Sequence, residues 1–333
     1  MSQRRKEKHP LRLGVFARLS FRASVWFPES QKFHFLLAST IPEKQRVFLI
    51  LRMLSIIPPL LALALTFNSS VSRINNIPAE TFLNVSYGED VKQRMDVYLP
   101  AGRSQDSTKL IVLIHGGGWN GGDKSEFDRY INELQKRLPN YAFANINYRL
   151  FNFNTGGNRF PAQENDIKAA IDFLSRKTSE YKISDQIVLL GASAGAHLAL
   201  LQGYKNSEPE KVKAIVSFFG PSDLTELYNR PGNPGIPFLL NALIGTTPSE
   251  NKEIYKQSSP INYVEANSPP TLLLQGGRDF LVPENQSTLL RDKLKNKGVI
   301  HQYIYYPEEG HGWRGSRLLE SLDKVAEFVR TNV

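Results

Sequence analysis

The chain of 333 residues contains no cysteine. That excludes disulfides, zinc–thiolate sites, iron–sulfur clusters and cysteine nucleophiles, and it fits either redox compartment. There is no H-E-x-x-H pair and no cluster of metal-ligand type, so no metal site and no cofactor are expected. A P-loop is missing too, because Asp123 separates the preceding glycines from Lys124-Ser125. Gly116-x-Gly118-x-x-Gly121 matches a dinucleotide fingerprint formally. The strand expected after it ends in Asn145-Ile146-Asn147, however, and offers no acid for a ribose. No internal repeat or low-complexity run appears.

The body of the chain also lacks net charge. Residues 1–52 hold 11 Lys/Arg against 3 Asp/Glu, a net +8, whereas the remainder holds 30 against 29, a net +1. The overall +9 therefore belongs almost entirely to the N-terminal extension, and the charge of the body gives no support for nucleic-acid binding. The hydrophobic share of 41% is enough for a sizeable core.

Residues 1–46 are basic and without clear periodicity. Val47 to Phe67 is apolar apart from Arg52, Ser55 and Thr66, with Pro58-Pro59 in its middle. Leu60-Leu61-Ala62-Leu63-Ala64-Leu65 precedes Asn68-Ser69-Ser70-Val71-Ser72-Arg73, mostly small and polar, which resembles a cleavage region. The segment reads as a signal peptide, with an uncleaved membrane anchor and a transit peptide as alternatives. The short apolar part, Arg52 and the proline pair weaken a full span. Met53 opens the apolar run and is an alternative translation start. The expectation is a basic extension with a signal peptide or anchor over 1–75, an exported or membrane-anchored product, and one domain over 76–333.

That domain reads as alternating β/α. Strands are expected at Phe82 to Tyr87, Arg94 to Leu99, Leu110 to Ile114, Tyr141 to Tyr148, Gln186 to Leu190, Val212 to Phe219, Thr271 to Gln275 and His301 to Tyr306. Helices are expected at Ser125 to Arg137, Gln163 to Tyr181, after Ser193, Asn285 to Lys297 and Leu318 to Val329. Leu224 to Tyr263 breaks the alternation. It is rich in Pro, Gly and Asn, and is read as a cap or lid, with a surface excursion as the alternative.

The stretch that orders the rest is Gly191-Ala192-Ser193-Ala194-Gly195, set between a strand and a helix. This is the context of a G-x-S-x-G nucleophile elbow, and the small residues around Ser193 give the sharp turn room. A serine hydroxyl needs a base, and the base needs an orienting carboxylate. Asp279 and His311 both follow expected core strands, and the order Ser193…Asp279…His311 is that of an α/β-hydrolase. His311 lies between two glycines, where a core histidine would have little to pack against. His115 reads as structural in its glycine-rich turn, and His197 as packing. Asp223 competes with Asp279 for the carboxylate role but is read as capping or bracing a loop. His115-Gly116-Gly117-Gly118 can bring backbone N–H groups to a developing oxyanion, and Ala194 can offer another at the helix N-terminus. Trp119 is a candidate for lining an acyl pocket, with plain packing as the alternative.

The set HGGGW (115–119), NYRL (147–150), GASAGAHLA (191–199), GGRDFLVP (276–283) and GHGW (310–313) resembles α/β-hydrolase esterases. The nearest group is the hormone-sensitive-lipase-like carboxylesterases, on the branch of bacterial feruloyl and acetyl-xylan esterases. The resemblance covers roughly residues 80–333. It implies a mostly parallel eight-stranded sheet flanked by helices, with a short cap insertion. It implies Ser193 as nucleophile, His311 as base, Asp279 as its partner, and an oxyanion hole from Gly117, Gly118 and Ala194. Many hormone-sensitive-lipase relatives carry an acid just before the serine. This chain has Ala192, which favours the feruloyl/acetyl-esterase branch. The implied partner is a small-molecule or polysaccharide-linked ester. A serine peptidase or amidase of the same fold, and a non-catalytic binding domain, are the competing readings.

Overall fold

A computed structural model describes residues 77–206, 208 and 211–333. The expectations for the N-terminal extension, including the boundary at 75, the signal or anchor and the start at Met53, lie outside the described residues.

Two strands open the domain, β1 (Glu80–Ser86) and β2 (Arg94–Leu99). β3 (Leu110–Ile114) follows, and every residue of it is buried, as its unbroken apolar run predicts for a strand covered on both faces. A 3₁₀ turn at Lys124–Phe127 leads into α1 (Asp128–Arg137), so the expected single helix from Ser125 has a tighter first turn. Asp123 caps that turn by accepting from Ser125 N. Next come β4 (Ala142–Ile146), α2 (Ala162–Arg176) and the one-turn α3 (Thr178–Tyr181). The helix read as continuous from 163 to 181 is interrupted at Lys177.

β5 (Ile187–Ala192) runs into α4 (Ala194–Tyr204), and β6 (Val212–Phe218) follows. The cap segment is helical: α5 (Leu224–Asn229), α6 (Gly235–Ile244), α7 (Lys252–Gln257) and a 3₁₀ turn at Pro260–Tyr263. β7 (Thr271–Gly276), α8 (Asn285–Asn296), β8 (His301–Tyr306) and α9 (Gly315–Asn332) complete the chain. α9 begins one turn before its expected start.

The eight described strands form one sheet in the order β1-β2-β4-β3-β5-β6-β7-β8. β1–β2 and β2–β4 pair antiparallel, and the remaining pairs are parallel. This is the α/β-hydrolase fold. Because successive side chains of a strand face opposite ways, each buried strand supplies two cores. Ile111 and Leu113 meet Ile131, Leu134, Val325 and Val329 of α1 and α9. Leu110, Val112 and Ile114 meet the cluster that contains Ile167, Ile171, Leu198 and Leu290 of α2, α4 and α8. The parallel strands point the same way, so the loops after β3, β5, β6, β7 and β8 gather at one rim.

The cap leaves and rejoins that rim at a single pinned point. Leu224 N donates to Ser259 Oγ at 2.9 Å, and Ile261 N donates to Ser222 O at 3.1 Å. Gln286 Oε1 in turn accepts from Ser222 N and Asp223 N, each at 2.9 Å. Asp223 caps α5 by accepting from Glu226 N, which is the capping role read for it from the sequence.

Candidate active site

Ser193 sits at φ 54°, ψ −123°, between β5 and α4. A non-glycine residue in that region is strained, and the surrounding packing must hold it there. Ser193 N donates to Phe218 O at 2.9 Å, which ties the turn to the next strand. Gly195 makes the turn possible on its inner side. A Cβ there would lie 2.0 Å from Ile114 O and 2.3 Å from His115 O, so only glycine lets the helix start against the end of β3.

Three distant side chains meet above this turn. Ser193 Oγ lies 2.9 Å from His311 Nε2, and His311 Nδ1 lies 2.7 Å from Asp279 Oδ2. Asp279 is buried, and its other oxygen accepts from Leu281 N and Val282 N, each at 2.9 Å. Gln275 Nε2 adds a longer bond to Oδ2 at 3.3 Å. The carboxylate is therefore fixed from two sides, which orients the imidazole. The loops carrying Asp279 and His311 are in close contact: a Cβ on Gly276 would fall 2.2 Å from Gly310 O.

The glycine-rich loop after β3 lies beside the elbow, because β3 and β5 are hydrogen-bonded neighbours. Among the described residues, no backbone carbonyl outside helices and strands accepts from Gly117 N or Gly118 N. Ala194 N opens α4, where helix geometry provides no intrahelical acceptor. Tyr148 braces the loop from beneath. Its hydroxyl donates to His115 O at 3.0 Å and to Gly116 O at 3.2 Å, and its ring stacks on His115 at 4.3 Å. Burial pushes His115 down to about 4, so its ring is neutral and donates Nδ1–H to Gly116 O. The structural reading of His115 matches this geometry.

Trp119 is only 3% exposed. It borders the cavity over Ser193, and its indole also packs edge-on against His197 at 5.2 Å. The cavity has a volume of about 630 Å³ and reaches Ser193, His311 and Gly116 to Gly118. Its wall is mostly apolar, with Phe218, Phe219, Leu239 and Leu281 among its residues. Leu239 belongs to α6, so the cap helix forms part of the wall.

Several residues that hold the site had no signal in the sequence. Phe219 takes a positive φ of 43° and places its ring 4.6 Å from that of His311. Its position at the end of β6, one strand from β5, is the only available hint. Gln275 is buried and anchors the Asp279 turn by donating to Val282 O at 3.1 Å. Nothing about a glutamine at the end of an apolar strand announces that task.

The chain is similar to several known proteins. Esterase LipC of Mycobacterium tuberculosis is 24% identical over 262 residues, which are 74% of this chain and 64% of that protein. The probable carboxylic ester hydrolase LipM of the same organism is 28% identical over 245 residues, 68% of this chain and 54% of that protein. The chain thus spans between about half and two thirds of the length of these relatives. A solved structure described as a truncated form of a carbohydrate esterase from gut microbiota superposes with a TM-score of 0.65 at 25% identity, covering 78% of this chain and 98% of that one. A family model described as BD-FAE matches residues 95–294. With that match added to the sheet order and the elbow, this chain belongs to the BD-FAE family of α/β-hydrolase-fold proteins.

Proposed function

We propose that the protein is a serine carboxylesterase that hydrolyses short-chain acyl esters, acetyl or feruloyl in type, through an acyl-enzyme intermediate. The observation that carries this reading is the pair of hydrogen bonds linking Ser193 Oγ, His311 and Asp279 at the floor of one cavity.

The chemistry follows from the geometry. Ser193 Oγ attacks the ester carbonyl carbon while His311 Nε2 takes its proton. The imidazolium that forms donates from Nδ1 to Asp279 Oδ2, whose charge stabilises it. The carbonyl oxygen becomes an oxyanion and is held by the N–H groups of Gly117, Gly118 and Ala194, each worth on the order of 3 kcal/mol in the transition state. His311 then protonates the leaving alcohol. Water then attacks the acyl carbonyl carbon and loses a proton to the same nitrogen; the bond to Ser193 Oγ breaks, His311 returns the proton to Oγ, and the acid leaves. Every step is carried by residues of this chain.

The relatives and the cavity support the substrate class. Esterases and a carbohydrate esterase are among the similar proteins. A mostly apolar wall beside the serine suits an acyl chain or an aromatic ring. The apolar run at 47–67 supports an exported or membrane-anchored protein, which N-terminal sequencing of the mature protein tests.

The deciding experiment combines a fluorophosphonate probe with a substrate panel of p-nitrophenyl esters of increasing acyl length, acetylated xylan, methyl ferulate and dipeptide anilides. Labelling at Ser193 and turnover of acetyl or feruloyl esters are expected, and both are lost in Ser193→Ala. Retained activity in that variant overturns the nucleophile assignment. Faster cleavage of the anilides overturns the esterase reading in favour of a peptidase.

A further inference from the structure

One buried titratable side chain near the site has no part in the reaction described above. His197 lies one turn after the serine on α4, and its backbone N–H donates to Ser193 O at 3.0 Å. Both of its ring nitrogens are engaged. Trp119 Nε1 donates to His197 Nδ1 at 3.3 Å, and His197 Nε2 donates to Ser258 O at 2.7 Å. Only one tautomer of the neutral ring satisfies both bonds, with the proton on Nε2. Desolvation favours that neutral ring and pushes its pKa down to about 4, against the Ser258 carbonyl and then the carboxylate of Glu164.

The two partners belong to different parts of the site. Trp119 ends the oxyanion loop and sits at a φ of 62°, which is uncommon for a bulky residue. Its carbonyl accepts from Phe151 N at 2.8 Å, so the indole bond to His197 is its second anchor. Ser258 is buried at the C-terminal end of α7, in the foot by which the cap returns to the sheet. Its neighbour Ser259 bonds Leu224 N at the opposite foot. One imidazole therefore touches the elbow helix, the oxyanion loop and the base of the cap.

We propose that His197 is a positioning residue that clamps the oxyanion loop to the return foot of the cap. The inference rests on the esterase reading for its kinetic consequences and on the two hydrogen bonds alone for its structural ones. The bond to Trp119 holds the donors of Gly117 and Gly118 in place, so its loss acts on the chemical step. The bond to Ser258 holds the cap wall that includes Leu239, so its loss acts on substrate binding.

Amide variants separate the two ends. His197→Asn keeps an acceptor near the Nδ1 position and loses reach to Ser258. His197→Gln keeps a donor near the Nε2 position and leaves the indole N–H without its acceptor. Trp119→Phe removes that N–H while retaining an aromatic ring. For p-nitrophenyl acetate, His197→Gln and Trp119→Phe are each expected to lower kcat by about ten- to a hundredfold with little change in KM, as misplacement of the catalytic donors predicts. The double variant falls no further than the less active single one, because both remove the same bond. His197→Asn is expected to raise KM by a few fold and to hold kcat.

Hydrogen exchange supplies a readout that needs no turnover. Residues 116–122 exchange faster in His197→Gln, and residues 252–263 exchange faster in His197→Asn. Should the wild type hydrolyse no ester and take no label at Ser193, the esterase reading fails while the exchange pattern still decides the clamp. Parallel changes in kcat, KM and exchange for both histidine variants, or additive effects of His197→Gln and Trp119→Phe, overturn the proposal.

Discussion

Replacing Asp279 by asparagine tests the proposed relay at its buried end. The amide is isosteric with the carboxylate, so the cavity keeps its shape. Leu281 N and Val282 N both donate to one carboxylate oxygen at 2.9 Å. Turning the amide nitrogen toward them would leave the buried Val282 N–H and the part-buried Leu281 N–H facing a donor, at about 1–3 kcal/mol each. The opposite orientation forfeits only the longer bond from Gln275 Nε2, so the carbonyl stays with the backbone and the NH₂ group faces His311 Nδ1. That nitrogen must now accept, which moves the ring proton to Nε2, opposite Ser193 Oγ. A ring protonated there cannot take the serine's proton. The expected loss in kcat is about ten-thousand-fold, or about 5.5 kcal/mol of transition-state stabilisation, with KM nearly unchanged. Stopped p-nitrophenyl acetate assays and fluorophosphonate labelling rates read the effect, and urea unfolding checks that the fold is retained. An Asp279→Asn variant that unfolds normally yet keeps kcat within about tenfold of the wild type would refute the reasoning.

Three further outcomes follow from the same structure. Burial holds His115 and His197 at about 4, against about 6.5 for an unfolded histidine, so the unfolded chain binds more protons between those values. Their stabilising effect is full above about pH 6.5 and falls as the pH is lowered, by about 3 kcal/mol for each ring at pH 4; a urea series from pH 7 to pH 4 with a constant midpoint contradicts this. Gly195→Ala places a Cβ 2.0 Å from Ile114 O, and a loss of several kcal/mol in stability, on the order of 3 or more, is expected by thermal unfolding together with loss of fluorophosphonate labelling. Gln286→Ala leaves Ser222 N and Asp223 N without their acceptor at the cap's foot, costing about 2–4 kcal/mol by denaturant unfolding; a change below about 0.5 kcal/mol would show that the pin is dispensable.

Much of this architecture was legible in the linear chain because its signals are local. The unbroken run Leu110 to Ile114 announces a strand buried on both faces, and it is one. Gly191 to Gly195 announces a sharp turn between strand and helix, since only small residues tolerate the approach of β3 and α4. Chain order alone ranked Asp279 above Asp223, and the structure places Asp279 against His311 and Asp223 at the cap of α5. The cap was legible only as a break in pattern. Its helix α6, Gly235–Ile244, is apolar on nearly every side, so no amphipathic period betrays it.

What tertiary structure decided were pairings across long separations. Ser193 and His311 are 118 residues apart, Trp119 and His197 are 78 apart, and His197 and Ser258 are 61 apart. Periodicity reports which face of an element is apolar, and that property is set by near neighbours in sequence. Which buried donor finds which acceptor depends on the order and stagger of the strands, and no window of sequence contains that information. A histidine on an apolar helix and a glutamine ending a strand look like packing until the sheet brings the loops at its rim to within hydrogen-bonding distance of one another.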